Sequence, residues 1–346
     1  MKNAKKKVLV AMSGGVDSST VVKLLLDEGY KVYGTIMELL NNDKDIVDAR
    51  CVADTLGIPF SILNCVDMFN KYVVDNFIKT YISGGTPNPC VVCNRYIKFG
   101  RLLNYVDEMG YDYMATGHYV RKECDANGRY LLKRSLDYGK DQSYVLYCLT
   151  QKQLAKSMFP TGEMSKHEIR EIARASGIIS ADRPDSQDIC FIKNESYVDY
   201  IKRKTNMKFP PGDIVLTDGE VVGMHKGIIN YTIGQRKGLG VCYNEPLFVV
   251  RKDVKANTVI LGRSVELFGK TLTATDINFI PFDKLNAPIR VTAQTRYHQQ
   301  DTPATVTPLE NNRVLVEFDE PKRAISKGQA VVFYDGEYII GGGTIE

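Results

Sequence analysis

One junction near the start of the chain restricts the fold more than any other feature. A short β-forming run, Lys7-Val-Leu-Val-Ala-Met12, passes directly into Ser13-Gly-Gly-Val-Asp-Ser-Ser19. Apolar residues at helical spacing then continue from Asp17 to a stop at Gly29. A strand, a glycine-rich turn and a helix N-terminus form an anion site, because backbone N–H groups converge there and the helix dipole favours negative charge. Gly14 and Gly15 allow close backbone approach, and Ser13, Ser18 and Ser19 add hydroxyl donors. Asp17 is the unusual member, since a carboxylate beside phosphates repels them unless it holds a metal or orients the loop. The mononucleotide P-loop pattern needs a lysine after its last glycine, and none is present. The bland alternative is a Ser/Gly-rich turn with Asp17 as an N-cap.

The same alternation continues. Strands are expected at Lys31–Met37, Phe60–Cys65 and Tyr113–Thr116, and helices at Asp43–Gly57, Met68–Ile82 and Arg95–Met109. Ser165-Lys-His-Glu168 is a capping box opening a helix to about Ser176. This pattern predicts a parallel sheet covered by helices. Beyond about Lys204 the pattern becomes all-β. Asp218-Gly219 predicts a hairpin between Ile214–Leu216 and Val221–Val222, and further runs include Leu247–Arg251, Ile289–Thr295, Arg313–Phe318 and Ala330–Tyr334. The expected architecture is therefore an α/β N-terminal domain with a parallel sheet over residues 1–204. A small β-rich central domain, 205–268, and a C-terminal β-barrel, 269–346, follow it.

Composition excludes other classes. With 44% apolar and 25% charged residues in 346, the chain has a soluble globular balance rather than that of a disordered protein. No run reaches the ~18 apolar residues of a membrane helix. The apolar run behind the basic start is too short for a secretory signal, so a cytoplasmic location is expected. A net charge of +4 permits a nucleic-acid partner without arguing for one.

Eight cysteines in such a chain do not read as a disulfide framework. Cys51, Cys65 and Cys148 lie in apolar periodic segments and are expected to be buried. Cys90 and Cys93 stand differently, in Thr86-Pro-Asn-Pro-Cys-Val-Val-Cys-Asn94, with Arg95, Lys98 and Arg101 behind them. A helix beginning at Asn94–Arg95 would place its N-terminus beside Cys93 and lower that thiol's pKa. No second CxxC or HxxxH follows, so a zinc site is incomplete, and a structural pair is the other reading. Cys190 follows the polar run Asp185-Ser-Gln-Asp188 at an expected strand edge, and reads as either core or catalytic.

Taken together, these segments are more specific than any one of them. The loop at 13–19 resembles the pyrophosphate loop of the adenine-nucleotide α-hydrolase superfamily. Thr86-Pro-Asn-Pro, Ala115-Thr-Gly-His-Tyr119, Gly139-Lys-Asp-Gln-Ser-Tyr144, Ser186-Gln-Asp-Ile-Cys-Phe191, Gly227-Ile-Ile-Asn-Tyr-Thr-Ile-Gly-Gln-Arg-Lys-Gly238 and Gly328-Gln-Ala-Val-Val-Phe-Tyr-Asp335 follow in one order. Over nearly its whole length the chain resembles the tRNA-specific 2-thiouridylase family.

The resemblance implies an enzyme that uses ATP and Mg2+ to adenylate the 2-carbonyl of a wobble uridine and then replaces that oxygen with sulfur. It implies that Cys190 carries a persulfide and that Cys93 is its nucleophilic partner. Ala11, Met12, Ser13, Gly14, Gly15, Val16, Asp17 and Ser18 match the ATP loop, and Met37 and Gly117 match nucleotide contacts. Asn88, Pro89 and Cys90 match a stretch near the target base. Lys140, Asp141 and Gln142, with Arg296 and Tyr297, match tRNA contacts. The implied partners are tRNAs for lysine, glutamate and glutamine, and a sulfur donor such as a cysteine desulfurase or sulfur-relay protein. Lys140, Arg236, Lys237 and Arg296 are candidate phosphate contacts.

Two departures matter. The segment between Met37 and Asp43 is shorter than the polar loop of most members. Many members also have Asp where this chain has Cys90. The set Cys90, Cys93 and Cys190 matches the ligand number of a four-iron–four-sulfur cluster with one open iron. On sequence alone the cluster and the persulfide relay both stand open. Another ligase of the superfamily would need no paired cysteines. A non-catalytic tRNA-binding protein would need no intact loop.

Overall fold

The computed structural model describes residues 5–40, 43–183 and 189–346. The polar run Asp185–Asp188, expected as a loop before Cys190, lies outside the described residues.

The first domain is built on β1 (Lys7–Met12), α1 (Val16–Asp27), β2 (Lys31–Glu38), α2 (Asp43–Thr55), β3 (Phe60–Asn64) and β4 (Tyr113–Ala115). With the short strand Ser157–Met158 these form a five-stranded sheet in the order β3-β2-β1-β4-(157–158). All of its pairings are parallel. Alternation along β1 explains why it lies at the centre. Val8, Val10 and Met12 pack into one core with Val21, Val22 and Leu25 of α1, while Leu9 and Ala11 enter the core on the opposite face. The chain reverses direction of winding between β1 and β4. In such sheets ligands bind outside the carboxyl ends of the strands at that switch. Here the crevice is bounded by Ser13–Ser18 after β1 and Thr116–Tyr119 after β4.

Helices follow the expected positions with two informative shifts. The helical run expected from Met68 starts at Val66, and its Asn70–Val74 stretch is π-helical. The run expected from Arg95 starts at Pro89, because Pro89 occupies the first turn and the Asn88 side chain accepts the Val91 N–H at 3.3 Å. Its Asn94–Arg101 stretch is also π-helical, a deviation often found at functional sites.

The central unit is a four-stranded sheet in the order (248–253)-(258–262)-(212–216)-(221–225), and its last pair is the hairpin expected around Asp218-Gly219. The C-terminal strands close on themselves, because Phe268–Phe279 pairs with both Arg313–Arg323 and Tyr338–Ile345. The sequence pattern did not disclose that the first domain extends this barrel. A hairpin, Val120–Cys124 with Tyr130–Arg134, leaves the α/β domain and pairs with the last strand at Tyr338↔Lys133.

Charged groups fasten that hairpin. Arg121 and Lys133 converge on Glu337, and the Tyr338 hydroxyl donates to Glu123. Arg134, 7% exposed, stacks 3.6 Å over the Tyr334 ring and faces Asp301 at 3.1 Å and Asp141 at 3.7 Å. Replacing Arg134 with Met would leave the buried Asp141 and the half-buried Asp301 without their cation. The expected cost is roughly 3–5 kcal/mol, because a buried charge stripped of its partner is strongly destabilised. Urea unfolding together with hydrogen exchange of residues 120–134 measures it, and an unchanged midpoint would contradict this role.

Candidate functional site

The anion loop has the expected form. Gly14 has φ +73°, a left-handed conformation that glycine adopts without strain, and a Cβ there would stand 3.0 Å from the Asp48 side chain. Gly15 is the N-cap of α1 and supplies no side-chain cap. The first amides of that helix therefore face the crevice without one. The Ser18 hydroxyl accepts the Ser13 N–H at 3.1 Å and pins the loop. Ala11, Met12 and Val16 are buried, so any nucleotide contact from them is through the backbone. Met37 is half-buried at the end of β2. Gly117 backs directly onto the loop, where a Cβ would come within 2.8 Å of the Ser18 nitrogen.

Asp17 orients this loop. Its carboxylate accepts the Tyr119 hydroxyl at 2.7 Å and the Lys166 ammonium at 2.6 Å. Lys166 was not singled out by sequence, although a signal existed. It occupies the first turn of the helix Lys166–Ala175, where the helix dipole disfavours a cation unless another group holds it. The residue is 9% exposed, and Asp17 holds its ammonium at the edge of the crevice as one half of an ion pair.

Cys190 lies in a turn rather than at the expected strand edge; the Ile192 N–H closes it onto the Ile189 carbonyl at 3.0 Å. Phe191 anchors the turn, packing edge-on to Phe69 and Phe77 at 5.6 and 5.2 Å. That anchor leaves Cys190 exposed and brings it into electrostatic contact with Cys90 and Cys93. The three thiols thus share one neighbourhood, with Cys90 exposed and Cys93 buried. Cys65 and Cys148 are buried as expected, whereas Cys51 is exposed on α2.

The expectation of a lowered Cys93 pKa is overturned. Its helix begins four residues earlier, at Pro89, so Cys93 lies in the interior of the run and not at its N-terminus. Burial pushes its thiol up to about 12, against a smaller opposing effect of Lys98. Cys90 and Cys190 are raised too, mainly because the protein atoms packed around them strip solvent from the charged form although part of each stays exposed, and Lys98 again opposes the shift. Lys98 is therefore the cation common to all three thiols.

Its position comes from the segment after β4. The Lys98 ammonium lies 3.2 Å from His118 Nε2, and His118 Nδ1 lies 2.8 Å from the Thr116 hydroxyl. An ammonium only donates, so Nε2 accepts, and the ring proton belongs on Nδ1, facing Thr116. Burial, and secondarily Lys98, drives the His118 pKa well below its usual 6.5 and keeps the ring neutral. Four consecutive residues thus serve both halves of the site. Gly117 backs the anion loop, Tyr119 holds Asp17, and His118 with Thr116 holds Lys98 beside the thiols.

The remaining residues fall into two groups. Asp141 is 8% exposed, and its carboxylate accepts Ser135 N–H at 2.9 Å and Ser143 Oγ–H at 2.6 Å, so the side chain braces the turn. Gln142 accepts the Tyr119 N–H at 3.0 Å, and Lys140 is half-buried. The Arg296 guanidinium donates to the carbonyls of Ile233 and Ala324 and to Ser326, tying central loop to barrel. Tyr297 donates to the Asp141 carbonyl at 3.2 Å, its ring lies 5.9 Å from that of Tyr144, and it is in electrostatic contact with Cys90. Asn88 and Pro89 open the thiol helix, and Arg236 and Lys237 are exposed. Among the described residues no group of three or more His, Cys, Asp or Glu side chains is arranged to hold a metal ion.

The chain matches known proteins along its whole length. Residues 6–194 match the model of the tRNA methyl transferase HUP domain, 198–263 the tRNA methyl transferase PRC-barrel domain, and 269–345 the aminomethyltransferase beta-barrel domain. A tRNA-specific 2-thiouridylase MnmA of Acetivibrio thermocellus is 46% identical, covering 99% of this chain and 100% of its own length. Proteins of the same name from Clostridioides difficile, 46% identical over 99% of this chain and 98% of theirs, and Caldicellulosiruptor saccharolyticus, 47% identical over 99% of both, also match. With relatives this similar over its whole length, and a phosphate crevice joined to a thiol site by one segment, the chain belongs to the tRNA-specific 2-thiouridylase family.

Proposed function

We propose that this protein is a tRNA 2-thiouridylase that adenylates the 2-carbonyl oxygen of a wobble uridine and replaces it with sulfur. The observation that carries the reading is the double attachment of Thr116–Tyr119. It sets an anion loop and a set of thiols side by side, as a reaction needing both a phosphoryl donor and a sulfur carrier requires. The three units 1–204, 205–268 and 269–346 divide the work into catalysis, a linker and an RNA-facing barrel.

ATP supplies the adenylyl group, and the Ser13–Ser18 loop, Met37 and Gly117 bind it. Asp17 holds Lys166 at the phosphate edge, and a magnesium ion accompanies the phosphates as such ions usually do. A carbonyl oxygen is a poor leaving group, and as an adenylate it departs with AMP. A persulfide on Cys190 then attacks C2, forming a C–S bond as the C–O bond breaks. The Cys93 thiolate attacks the Cys190 sulfur, and the electron pair of the cleaved S–S bond leaves on the sulfur attached to C2. The product is 2-thiouridine with a Cys93–Cys190 disulfide, which an external dithiol must reduce before the next turnover. Lys98, held by His118, favours the thiolate forms that burial opposes. The exposure of Cys190 suits loading by a sulfur donor protein, either a cysteine desulfurase or a relay. The tRNAs for lysine, glutamate and glutamine are the proposed substrates. No helix among the described residues is long and apolar enough to cross a membrane. A cytoplasmic setting fits such substrates.

Asp17→Ala should lose tRNA-dependent pyrophosphate release by roughly two orders of magnitude or more, the scale of losing one preorganised contact to a reacting phosphate once Lys166 is no longer held in place. Its tRNA affinity should be unchanged, and wild-type release by the variant would remove Asp17 from activation. Cys93→Ser and Cys190→Ser should each end 2-thiouridine formation while pyrophosphate release continues. Cys90→Ser should keep most activity in an iron-free, aerobic preparation; inactivation with loss of bound iron would restore the cluster route. Log–log plots of tRNA affinity against salt should flatten by roughly 0.7 for each of Arg236→Gln and Lys237→Gln, the single-strand value for one phosphate contact. Unchanged slopes would take both residues out of the interface.

A further inference from the structure

The helix that carries Cys90 and Cys93 has a second face, and it lines a cavity of about 300 Å³ between the α/β domain and the barrel. Asn88 and Arg95 come from this helix, Lys71 and Lys79 from the preceding helical run, and the barrel wall closes the far side. Neither Cys90 nor Cys93 lines the cavity; both meet Cys190 on the other face.

The lining has a definite chemistry. Three cations, Lys71, Lys79 and Arg95, face a single carboxylate, Asp276. None of the three cations is in an ion pair within 4.0 Å among those formed by the described residues. Arg95 is half-buried against neutral groups, the Cys148 thiol and the Tyr96 hydroxyl. Tyr72 and Tyr96 lie on the same wall, stacked at 4.7 Å with their planes 11° apart. The Lys71 ammonium sits 5.4 Å over the Tyr72 ring. Cations around a flat aromatic platform form the combination that holds single-stranded nucleic acid: phosphate to the cations, base extending the stack. A fixed guanidinium adds a forked donor suited to phosphate.

We propose that this cavity is a second nucleotide site, taking an unpaired nucleotide of the tRNA while the target uridine occupies the thiol face of the same helix. The proposal rests on the tRNA-thiolation reading. Asn88 connects the two sites, because it lines the cavity and caps the helix two residues before Cys90. Binding here would hold the thiol helix in register with the RNA.

Lys71 and Lys79 are exposed, so the double variant Lys71→Gln/Lys79→Gln leaves packing alone. Its tRNA affinity should fall, and the log–log salt slope should drop by about 1.4, two single-strand contacts. Tyr72→Leu should weaken binding by roughly five- to a hundredfold with the slope unchanged, the range expected for one lost base stack. Both variants should keep wild-type affinity for ATP. Unchanged tRNA affinity and slope in all variants would overturn the proposal. Loss of inorganic phosphate or UMP binding without loss of tRNA binding would also overturn it, in favour of a small-anion pocket. So would a defect confined to protein-fed sulfur loading, which would assign the cavity to the donor protein. Wild-type enzyme in the same assay separates the two readings. If, loaded with a persulfide on Cys190 and given ATP, it binds tRNA yet forms no 2-thiouridine, the functional reading fails, whatever the cavity does.

Discussion

The Asp17 carboxylate is where three parts of the α/β domain meet. It belongs to the turn after β1, takes the Tyr119 hydroxyl from the segment after β4, and takes Lys166 from the first turn of a later helix. Each of these elements is held by its own core or cap. Their convergence depends on one charged group sharing two hydrogen bonds, each stronger for its charge. The crevice at the switch point of the sheet is shaped by that convergence. The loop amides and the helix N-terminus give it a positive end, and the Asp17–Lys166 ion pair borders it without adding net charge. A mere N-cap would account for none of this, and Asp17 caps no helix here.

The thiol side depends on a different kind of constraint. Apolar anchors position the cysteines: Phe191 packs among Phe69, Phe77 and Tyr200, and Val91 is buried on the helix between Cys90 and Cys93. The environment that places the thiols close together also raises their pKa values and so favours their protonated forms. Lys98 opposes that effect and is itself held by a neutral histidine. The barrel reaches this site through the hairpin 120–134, whose ion pairs with Glu337 and Asp301 hold the terminal domain against the strand that ends at Cys124.

Local signals carried far in this chain. The strand–turn–helix junction, the alternation of the first half, the Asp218-Gly219 hairpin and the Ser165–Glu168 capping box all depend on neighbours within a few residues, and they form as the residues suggest. The first residue of the thiol helix was legible too, in Asn88 and Pro89, but the polar cluster at Asn94–Arg95 drew the start downstream and with it the wrong sign for Cys93. Lys166, His118 as the holder of Lys98, and the internal use of Asp141 and Arg296 were not legible, because each depends on a partner brought close only by the fold. The hairpin 120–134 alternates well enough to be a strand pair, yet nothing local says that its partner lies two hundred residues later.

The central claim is that Cys190 delivers sulfur and Cys93 releases it, with neither iron nor Cys90 required. Peptide mapping by mass spectrometry after one turnover tests it directly, using enzyme loaded with one persulfide, ATP and tRNA, without reductant. The account predicts a Cys93–Cys190 disulfide in amount equal to the 2-thiouridine formed, with Cys90 still a free thiol. Formation of 2-thiouridine with Cys93 and Cys190 both left reduced, or only by protein that retains iron, would contradict it.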